Sequence, residues 1–254
     1  MDIENKYGTL EVQKKLLELL KQFDSFCIEN RINYSLNDGS LLGAIRHNGF
    51  IPWDDDLDII VDRANYSKLL NYDIGGYGMS IKRKLWIQRI HFLDDEKKET
   101  TSYIPTIDIF VYDNTPISTF HRKIKKILIG FVQGMMKQKP DYSRFALNNK
   151  LFLYISYNIG KLFTDDWKYR LYNMIAENYG SSKSQFGSCY YEPYNDIGIL
   201  HKSEVLEKTE RHIFEDTEVS IISGYHRFLT ELYGDYIVPP NEEDRIPLHI
   251  NAPK

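Results

Sequence analysis

A chain of 254 residues, with 42% hydrophobic and 27% charged residues, is long enough to bury a substantial core as one elaborated domain. Its formal net charge of −4 gives no overall attraction to nucleic acid, so a basic nucleic-acid binder is disfavoured. The two cysteines, Cys27 and Cys189, form no CxxC motif or Cys/His cluster, which argues against a disulfide framework or structural zinc site and favours a reducing cytoplasm.

The chain begins with polar and acidic residues and has no apolar run of roughly 20 residues, so neither a signal peptide nor a membrane span is predicted. Residues 10–31 have apolar side chains at a spacing near 3.6, which predicts an amphipathic helix; they are Leu16, Leu17, Leu20, Phe23, Cys27 and Ile28. A short strand, "INYSLND", follows. Gly39 and Ser40 then interrupt it before a short helix, "LLGAIRHN", that Ser40 is expected to cap.

Several further strands are predicted after this helix. Pro52 marks a turn, "DLDIIV" is typical of a strand, and "ANYSKLLNY" of a short helix. The segment "MSIKRKLWIQRIHFL" predicts one or two strands, and "SYIPTIDIFVYD" a further strand that contains Asp108. We therefore expect a sheet of at least four strands accompanied by helices.

Residues 117–139 and 149–163 differ in character from the preceding part. The apolar residues of the first stretch are Ile124, Ile127, Leu128, Phe131, Val132 and Met135. Its polar or basic residues are His121, Arg122, Lys123, Lys125, Lys126, Lys137 and Lys139. The second stretch is apolar on almost all sides of the predicted helix. One interpretation is a pair of helices that lies on anionic lipid near a membrane-bound acceptor. The other is an ordinary helical subdomain whose basic residues face water.

Two more helices are predicted towards the C-terminus, "DDWKYRLYNMIAENYG", ended by Gly180, and "GYHRFLTELYGD", before an irregular, proline-rich tail. We expect one domain over residues 1–254. Its parts are a core with the catalytic sheet at 10–115, a helical subdomain at 116–185 and a C-terminal part at 186–254 that packs back on the core.

Four carboxylates lie within five positions, at Asp54, Asp55, Asp56 and Asp58. Side chains of an extended strand alternate between faces, so Asp54, Asp56 and Asp58 are predicted to share one side. Asp55 is predicted to face solvent as a bystander. Carboxylates this close raise one another's pKa unless a cation is present. An oxygen-liganded Mg²⁺ or Mn²⁺ ion, which favours carboxylates together with substrate phosphates, is the natural resolution.

Other interpretations of the acidic run are weaker. An EF-hand loop from Asp54 would need Gly and Glu where this chain has Ile59 and Asn65, which excludes it. A glycosidase takes its two carboxylates from separate elements. A solvated acidic turn stays open, but Gly39 and Ser40 form a helix start suited to phosphate, and Asp108 supplies a third strand carboxylate.

This ordered set of motifs resembles the nucleotidyltransferase-like fold shared with DNA polymerase β. More narrowly, "DGSLLGAIRHNGFIPWDDDLDIIV" at 38–61 resembles the signature of the LicD family, which includes bacterial phosphocholine transferases and fukutin-type ribitol-phosphate transferases. The similarity extends to "TIDIFVYD" and, more loosely, to "YHRFLTELYGDYIVPPNEEDR". It implies an α+β fold with a mixed sheet, flanking helices and an inserted or C-terminal helical part.

The resemblance also implies roles by position. Asp56, Asp58 and Asp108 match the catalytic metal ligands, and Asp108 is the candidate for activating the acceptor hydroxyl. The matches to substrate-binding positions are Gly39 and Ser40 at the phosphate-binding helix start, Asp54 beside the metal, and Arg46 and His47 after the helix. Arg46 and His47 would meet phosphate oxygens or lock the loop; for His47 a structural hydrogen bond to the turn at Asn48-Gly49 is the alternative.

The implied activity is metal-dependent transfer of a phospho-alcohol, phosphocholine from CDP-choline first, to a hydroxyl of teichoic acid, capsule or lipopolysaccharide. Ribitol-, glycerol- or ethanolamine-phosphate from a CDP-linked donor, or true nucleotidyl transfer, are the enzymatic alternatives. A noncatalytic glycan- or lipid-binding module is the alternative from another class. The expected partners are a CDP-linked donor and a glycan or lipid-linked glycan acceptor, without nucleic acid, in the cytoplasm or at the inner face of the membrane.

Overall fold

The computed structural model describes residues 6–97, 103–140, 142, 147–178, 186–189, 201–202 and 208–250. These residues fall into two compact units. The first is drawn from 1–82, 88–110 and 204–254, and the second from 83–87 and 111–203.

Helices and strands alternate as far as α3, after which three strands and then three helices follow in succession. In chain order the elements are α1 (Leu10–Glu29), β1 (Ser35–Leu36), α2 (Asp38–His47), β2 (Leu57–Asp62), α3 (Arg63–Asn71), β3 (Met79–Lys84), β4 (Ile87–Phe92), β5 (Ile107–Asn114), α4 (Thr119–Met136), α5 (Leu147–Gly160), α6 (Asp165–Asn178), β6 (Phe186–Cys189), β7 (His201–Lys202), β8 (Thr209–Phe214), β9 (Thr217–Ile222) and α7 (Tyr225–Tyr233). The predicted α+β class is confirmed, and the main sheet is mixed.

The sheet of the first unit has the strand order β1-β2-β5-β4-β3. β1 pairs antiparallel with β2, so that Ser35 lies opposite Ile60. β4 pairs antiparallel with β5, which places Arg89 opposite Asp108. Apolar Ile59, Ile60 and Val61 of β2 are buried. β2 and β5 are neighbours, and the charge of Asp108 acts on Asp58, so the carboxylates at the start of both strands lie in one region of the sheet.

Helix α1 buries its predicted apolar face at Leu16, Leu20, Phe23 and Cys27, but Ile28 is 63% exposed. The same face also buries Asp24, which the apolar pattern could not anticipate. Arg211 donates to both Asp24 oxygens, at 2.7 and 2.8 Å, and the Tyr34 hydroxyl donates to Oδ1 at 2.7 Å. This pairing compensates the desolvation of the carboxylate and links α1 to the later strand β8.

A hairpin formed by β8 and β9, which the sequence did not predict, holds the loop that leads into the acidic run. The Glu215 N–H at its turn donates to the Asn48 carbonyl at 2.7 Å. The Glu215 carboxylate accepts the Phe50 N–H at 2.9 Å. Phe214 packs edge-on against Phe50, with ring centroids 4.8 Å apart. These contacts set the course of the chain between α2 and β2.

In the second unit, α4 packs against both α5 and α6. Gly134 permits the approach of α5, since a Cβ there would lie 2.0 Å from the Ser156 Oγ. Buried side chains of this unit are Ile129, Val132, Met135, Met136, Leu153, Tyr172, Ile175 and Ala176. The end of β5 pairs with β6, and β6 pairs with β7, both antiparallel.

The predicted separation of apolar and basic faces on α4 is only partly correct. Val132 and Met135 are buried as expected, but Ile127 and Leu128 are exposed. Lys125, grouped with the basic residues, is fully buried and donates from Nζ to the carbonyls of Asn114 at 3.2 Å and Ala176 at 2.7 Å. Among the described residues, no helix combines the length and apolarity needed to cross a bilayer.

Candidate active site

The three carboxylates predicted as metal ligands lie at the start of two neighbouring strands. Asp58 is the second residue of β2 and Asp108 the second residue of β5, while Asp56 directly precedes β2. Asp54, also predicted for the site, lies earlier in the same segment and outside any strand. The alternation of side chains along a strand therefore applies only to Asp58. The conformation of the preceding loop sets the directions of the Asp54, Asp55 and Asp56 side chains.

Burial and mutual repulsion together disfavour the charged forms of these carboxylates, and burial is the larger cause. Burial, and then the negative charge of Asp56, raises the pKa of the Asp58 carboxyl well above its ordinary value, with Asp38, Asp108 and Asp54 adding to the effect. Burial, and then the negative charge of Asp56, likewise raises the pKa of the Asp54 carboxyl. A bound cation would oppose both shifts, because it favours the charged forms of the carboxyls.

Asp108 is partly neutralised by neighbours. The Arg89 guanidinium donates to its Oδ2 at 2.7 Å, and the Thr106 hydroxyl donates to Oδ1 at 3.1 Å. Burial raises the pKa of Asp108, while Arg89 and Thr106 oppose that rise. Each carboxylate oxygen has two lone pairs, so both oxygens keep the capacity to accept another partner.

The chemistry of the donor set fits an oxygen-liganded divalent cation, which would supply the missing positive charge. In the described ranges, no group of three or more His, Cys, Asp or Glu side chains is arranged so that it could hold a metal ion by itself. Mg²⁺ normally takes only one or two carboxylates, and waters and substrate phosphates complete its shell. Asp56 and Asp58 remain the predicted pair, with Asp108 as the predicted third ligand.

The helix start at Gly39-Ser40 differs from the prediction. Helix α2 begins at Asp38, so Ser40 lies inside its first turn and is not the cap. The Ser40 hydroxyl is buried and accepts the Asp58 N–H at 2.9 Å, which fixes α2 to β2. At Gly39 a Cβ would lie 2.9 Å from Asp54 Oδ2. Glycine here makes room for the Asp54 carboxylate against the helix.

The basic pair after the helix is held differently at its two positions. Arg46 donates from Nη1 to the Tyr236 carbonyl at 3.0 Å. His47 packs edge-on against Trp53, with ring centroids 6.3 Å apart. Burial lowers the pKa of both side chains, and the Arg46 charge lowers that of His47 further. In the described part of the chain, Arg46 Nε and His47 Nδ1 are buried without a hydrogen-bond partner. Unpaired buried polar groups of this kind need a partner such as a ligand, an ion or a water.

The prediction that Asp55 faces solvent is wrong. Its exposed fraction is 1%. The carboxylate accepts the backbone N–H groups of Leu248 at 3.2 Å, His249 at 2.8 Å and Ile250 at 2.7 Å. The prediction from strand alternation failed because Asp55 lies in a loop. A segment of the same unit that is far away in the sequence covers its side chain. Residues 248–250, the C-terminal strap, are thereby tied to the acidic loop.

Four further residues lie in the site without having been predicted. Arg89 pairs with Asp108, and the charge of Asp38 acts on Asp58. His249 Nδ1 lies 3.1 Å from Asp55 Oδ1 and 3.5 Å from Asp56 Oδ2. Tyr103 stacks on the His249 ring and donates its hydroxyl to the Asp55 carbonyl at 3.0 Å. Asp38 could have been predicted from the sequence, since it opens the "DGS" motif. No rule of sequence spacing connects Arg89, Tyr103 or His249 to the acidic run.

The chain is similar in sequence to known proteins. The family model described as "LicD/FKTN/FKRP, nucleotidyltransferase domain" matches residues 31–126. The lipopolysaccharide cholinephosphotransferase LicD of Haemophilus influenzae is 28% identical over 271 aligned positions, covering 94% of this chain and 95% of that protein. An uncharacterized protein of Rickettsia prowazekii is 30% identical over 151 positions, covering 52% of this chain and 56% of its own length.

The matched region contains the candidate site residues from Gly39 to Asp108 together with strands β1 to β5. Residues 31–126 therefore match the nucleotidyltransferase domain of the LicD/FKTN/FKRP family, and nearly the whole chain is similar to the Haemophilus influenzae LicD cholinephosphotransferase.

Proposed function

We propose that this protein transfers phosphocholine to a hydroxyl of a cell-surface glycan, the type of reaction for which its Haemophilus influenzae relative is named. The observation that carries the proposal is the cluster of Asp54, Asp56, Asp58 and Asp108 beside the first turn of α2. A carboxylate cluster with raised pKa values is suited to binding a cation together with a phosphate-bearing substrate. We propose CDP-choline as the donor, with CMP as the leaving group.

Asp56 and Asp58 would hold a Mg²⁺ or Mn²⁺ ion, with Asp108 as a further ligand. When bound, such an ion neutralises the donor pyrophosphate and stabilises the charge that develops as the phosphoryl group moves. The protein's own part is then positioning rather than covalent chemistry.

The surrounding residues would orient the reacting groups. Arg89 and Thr106 fix the plane of the Asp108 carboxylate, which leaves a lone pair to accept the proton of the acceptor hydroxyl. Arg46 Nε and His47 Nδ1 would meet donor phosphate oxygens, because both are buried without a partner in the described residues. The Asp54 carboxylate, close to Gly39, would orient a metal-bound water or the acceptor.

The test uses CDP-choline labelled either in choline or in cytidine, with Mg²⁺ and a lipopolysaccharide or teichoic-acid acceptor. We expect the choline label on the acceptor and the cytidine label in free CMP. Asp56→Asn and Asp58→Asn should abolish both signals, and Asp235→Asn, which changes an exposed carboxylate, should preserve them. CDP-ribitol, CDP-glycerol and CDP-ethanolamine, supplied in parallel, identify the alcohol if CDP-choline is not used.

A true nucleotidyltransferase is the second candidate, because the matched domain belongs to the nucleotidyltransferase type. In that case the cytidine label, or another nucleotide label, would be found on the acceptor. A protein that releases CMP from none of the donors and shows no Mg²⁺-dependent nucleotide binding by calorimetry would be a noncatalytic glycan- or lipid-binding module, and the transferase proposal would be refuted.

We further propose a cytoplasmic location for this reaction. Both cysteines of the chain, Cys27 and Cys189, are buried free thiols. Burial raises the pKa of the Cys27 thiol, which keeps it protonated and unreactive. Free thiols of this kind are typical of a reducing compartment.

A further inference from the structure

Helix α5 of the second unit presents an apolar stripe to solvent from Leu151 to its C-terminal end. The stripe consists of Leu151, Tyr154, Ile155, Ile159 and, just after the helix, Leu162, and all five side chains are exposed. Their spacing of three and four residues places them on one helical face. Leu151 is 60% and Leu162 79% exposed, so the stripe is open at both ends.

Other large apolar side chains of the same unit are also exposed. On or near α4, which packs against α5, they are Ile117, Phe120, Ile127 and Leu128. Large contiguous apolar patches are rare on monomeric soluble proteins, and they mark sites of interaction with a protein or a membrane. We call the α5 stripe and these four side chains the apolar face.

The charge of helices α4 and α5 and of the chain between them is mostly positive, while the exposed Asp165 and Asp166 at the start of α6 follow Leu162 and pair with Lys168 and Arg83. Between residues 115 and 164 the sequence has nine Lys or Arg residues and one acidic residue, Asp141. Helices α4 and α5 contain no Asp or Glu at all, although the whole chain has a net charge of −4. Lys123 and Lys161 are exposed, and Lys150 is half-buried. Basic side chains flank the apolar face without acidic neighbours on the same helices.

We propose that the apolar face seats the protein on the surface of a bilayer that contains anionic lipid. An amphipathic helix with basic flanks lies in the plane of the interface, burying its apolar side chains among the headgroups and acyl chains while Lys and Arg contact anionic headgroups. The exposed stripe is about 16 Å long at 1.5 Å per residue, which suits lying on a membrane and is too short to span one. A second copy fits less well, because a two-fold contact would oppose two acid-free, basic surfaces.

Membrane seating goes beyond the proposed transferase activity and is independent of it. Membrane binding would bring the protein to acceptors that are linked to lipid, because such water-insoluble substrates lie in the membrane.

The test is co-flotation of the full chain with vesicles of phosphatidylcholine, with and without phosphatidylglycerol. We expect partitioning onto the vesicles that contain phosphatidylglycerol and its loss at high salt. Ile155→Asn with Leu162→Asn should lower the partition coefficient about tenfold or more. Lys150→Gln with Lys161→Gln should lower it about tenfold for the anionic vesicles only.

Ile28→Asn is the matched control, since Ile28 is equally exposed on α1 of the other unit, and it should leave the partition coefficient unchanged. Circular dichroism and urea unfolding verify that each variant is folded. The proposal is overturned if the wild-type chain stays unbound to anionic vesicles at low salt, or if the apolar variants bind as well as the wild type. It is also overturned if Leu162→Asn dissociates a stable dimer, because a second copy would then cover the face. None of these outcomes depends on the transferase reaction, so the two proposals fail separately.

Discussion

Replacing Asp55 with asparagine should release the C-terminal strap from the acidic loop. The carboxylate accepts three backbone N–H groups at 2.7 to 3.2 Å and faces His249 Nδ1 at 3.1 Å. Asparagine has one acceptor oxygen, and its NH₂ group would oppose an N–H donor. Hydrogen bonds to a charged group are worth about 1.5–3 kcal/mol against about 0.5–1.5 kcal/mol for neutral ones, and an unpaired buried donor costs about 1–3 kcal/mol more. We therefore expect a loss of roughly 2–4 kcal/mol for Asp55→Asn.

Urea unfolding measures this loss as a difference in the free energy of unfolding, and trypsin reports local release of the strap by cleavage after Arg245. We expect cleavage at least about tenfold faster than in the wild type. Asp235→Asn is the control, because the same substitution at an exposed site should change stability by less than about 0.5 kcal/mol. If Asp55→Asn unfolds like the control and is cut no faster, the carboxylate does not hold the strap.

Three other predictions concern the carboxylate cluster. Asp58→Asn should abolish transfer yet stabilise the metal-free protein by roughly 1–3 kcal/mol, because it removes a desolvated, repelled charge; a lower melting temperature than the wild type would contradict this. The pKa values of Asp54 and Asp58 are raised in the folded protein, so the folded state binds these two protons more tightly than the unfolded state does. The resulting stability is fully present below the unfolded pKa and is lost as pH rises through the folded pKa. The metal-free wild type should therefore lose stability from about pH 4 upwards relative to a variant with Asn at both positions, and Mg²⁺ should flatten that difference in urea unfolding series. Gly39→Ala should displace the Asp54 carboxylate and lower kcat/KM about tenfold while stability changes by less than about 1 kcal/mol; unchanged kinetics would argue against a role for Asp54.

Local patterns were sufficient to predict most of the elements. Helix α1 and the strand that follows the acidic run were predicted because their apolar periodicity is strong over many residues. The β8–β9 hairpin was missed, since its strand β8, "TERHIF", is polar and mostly exposed, so that no apolar alternation marks it. The cap predicted at Ser40 was misplaced by three residues: the N-cap is Asn37, and helix α2 begins at Asp38 with a positive φ of 41°, a conformation that propensity disfavours.

What the sequence by itself determined is the resemblance to the LicD family and the set of carboxylates, because the motif from Asp38 to Val61 and the later Asp108 can be recognised from residue types and spacing alone. Only the tertiary structure decided how those carboxylates are used. Arg89 meets Asp108 through the register of β4 on β5. Asp55 is buried by backbone groups 193 to 195 positions later in the chain. Contacts at such separations depend on how the whole unit closes its core, and a hydrogen bond to a backbone N–H leaves no trace in residue type.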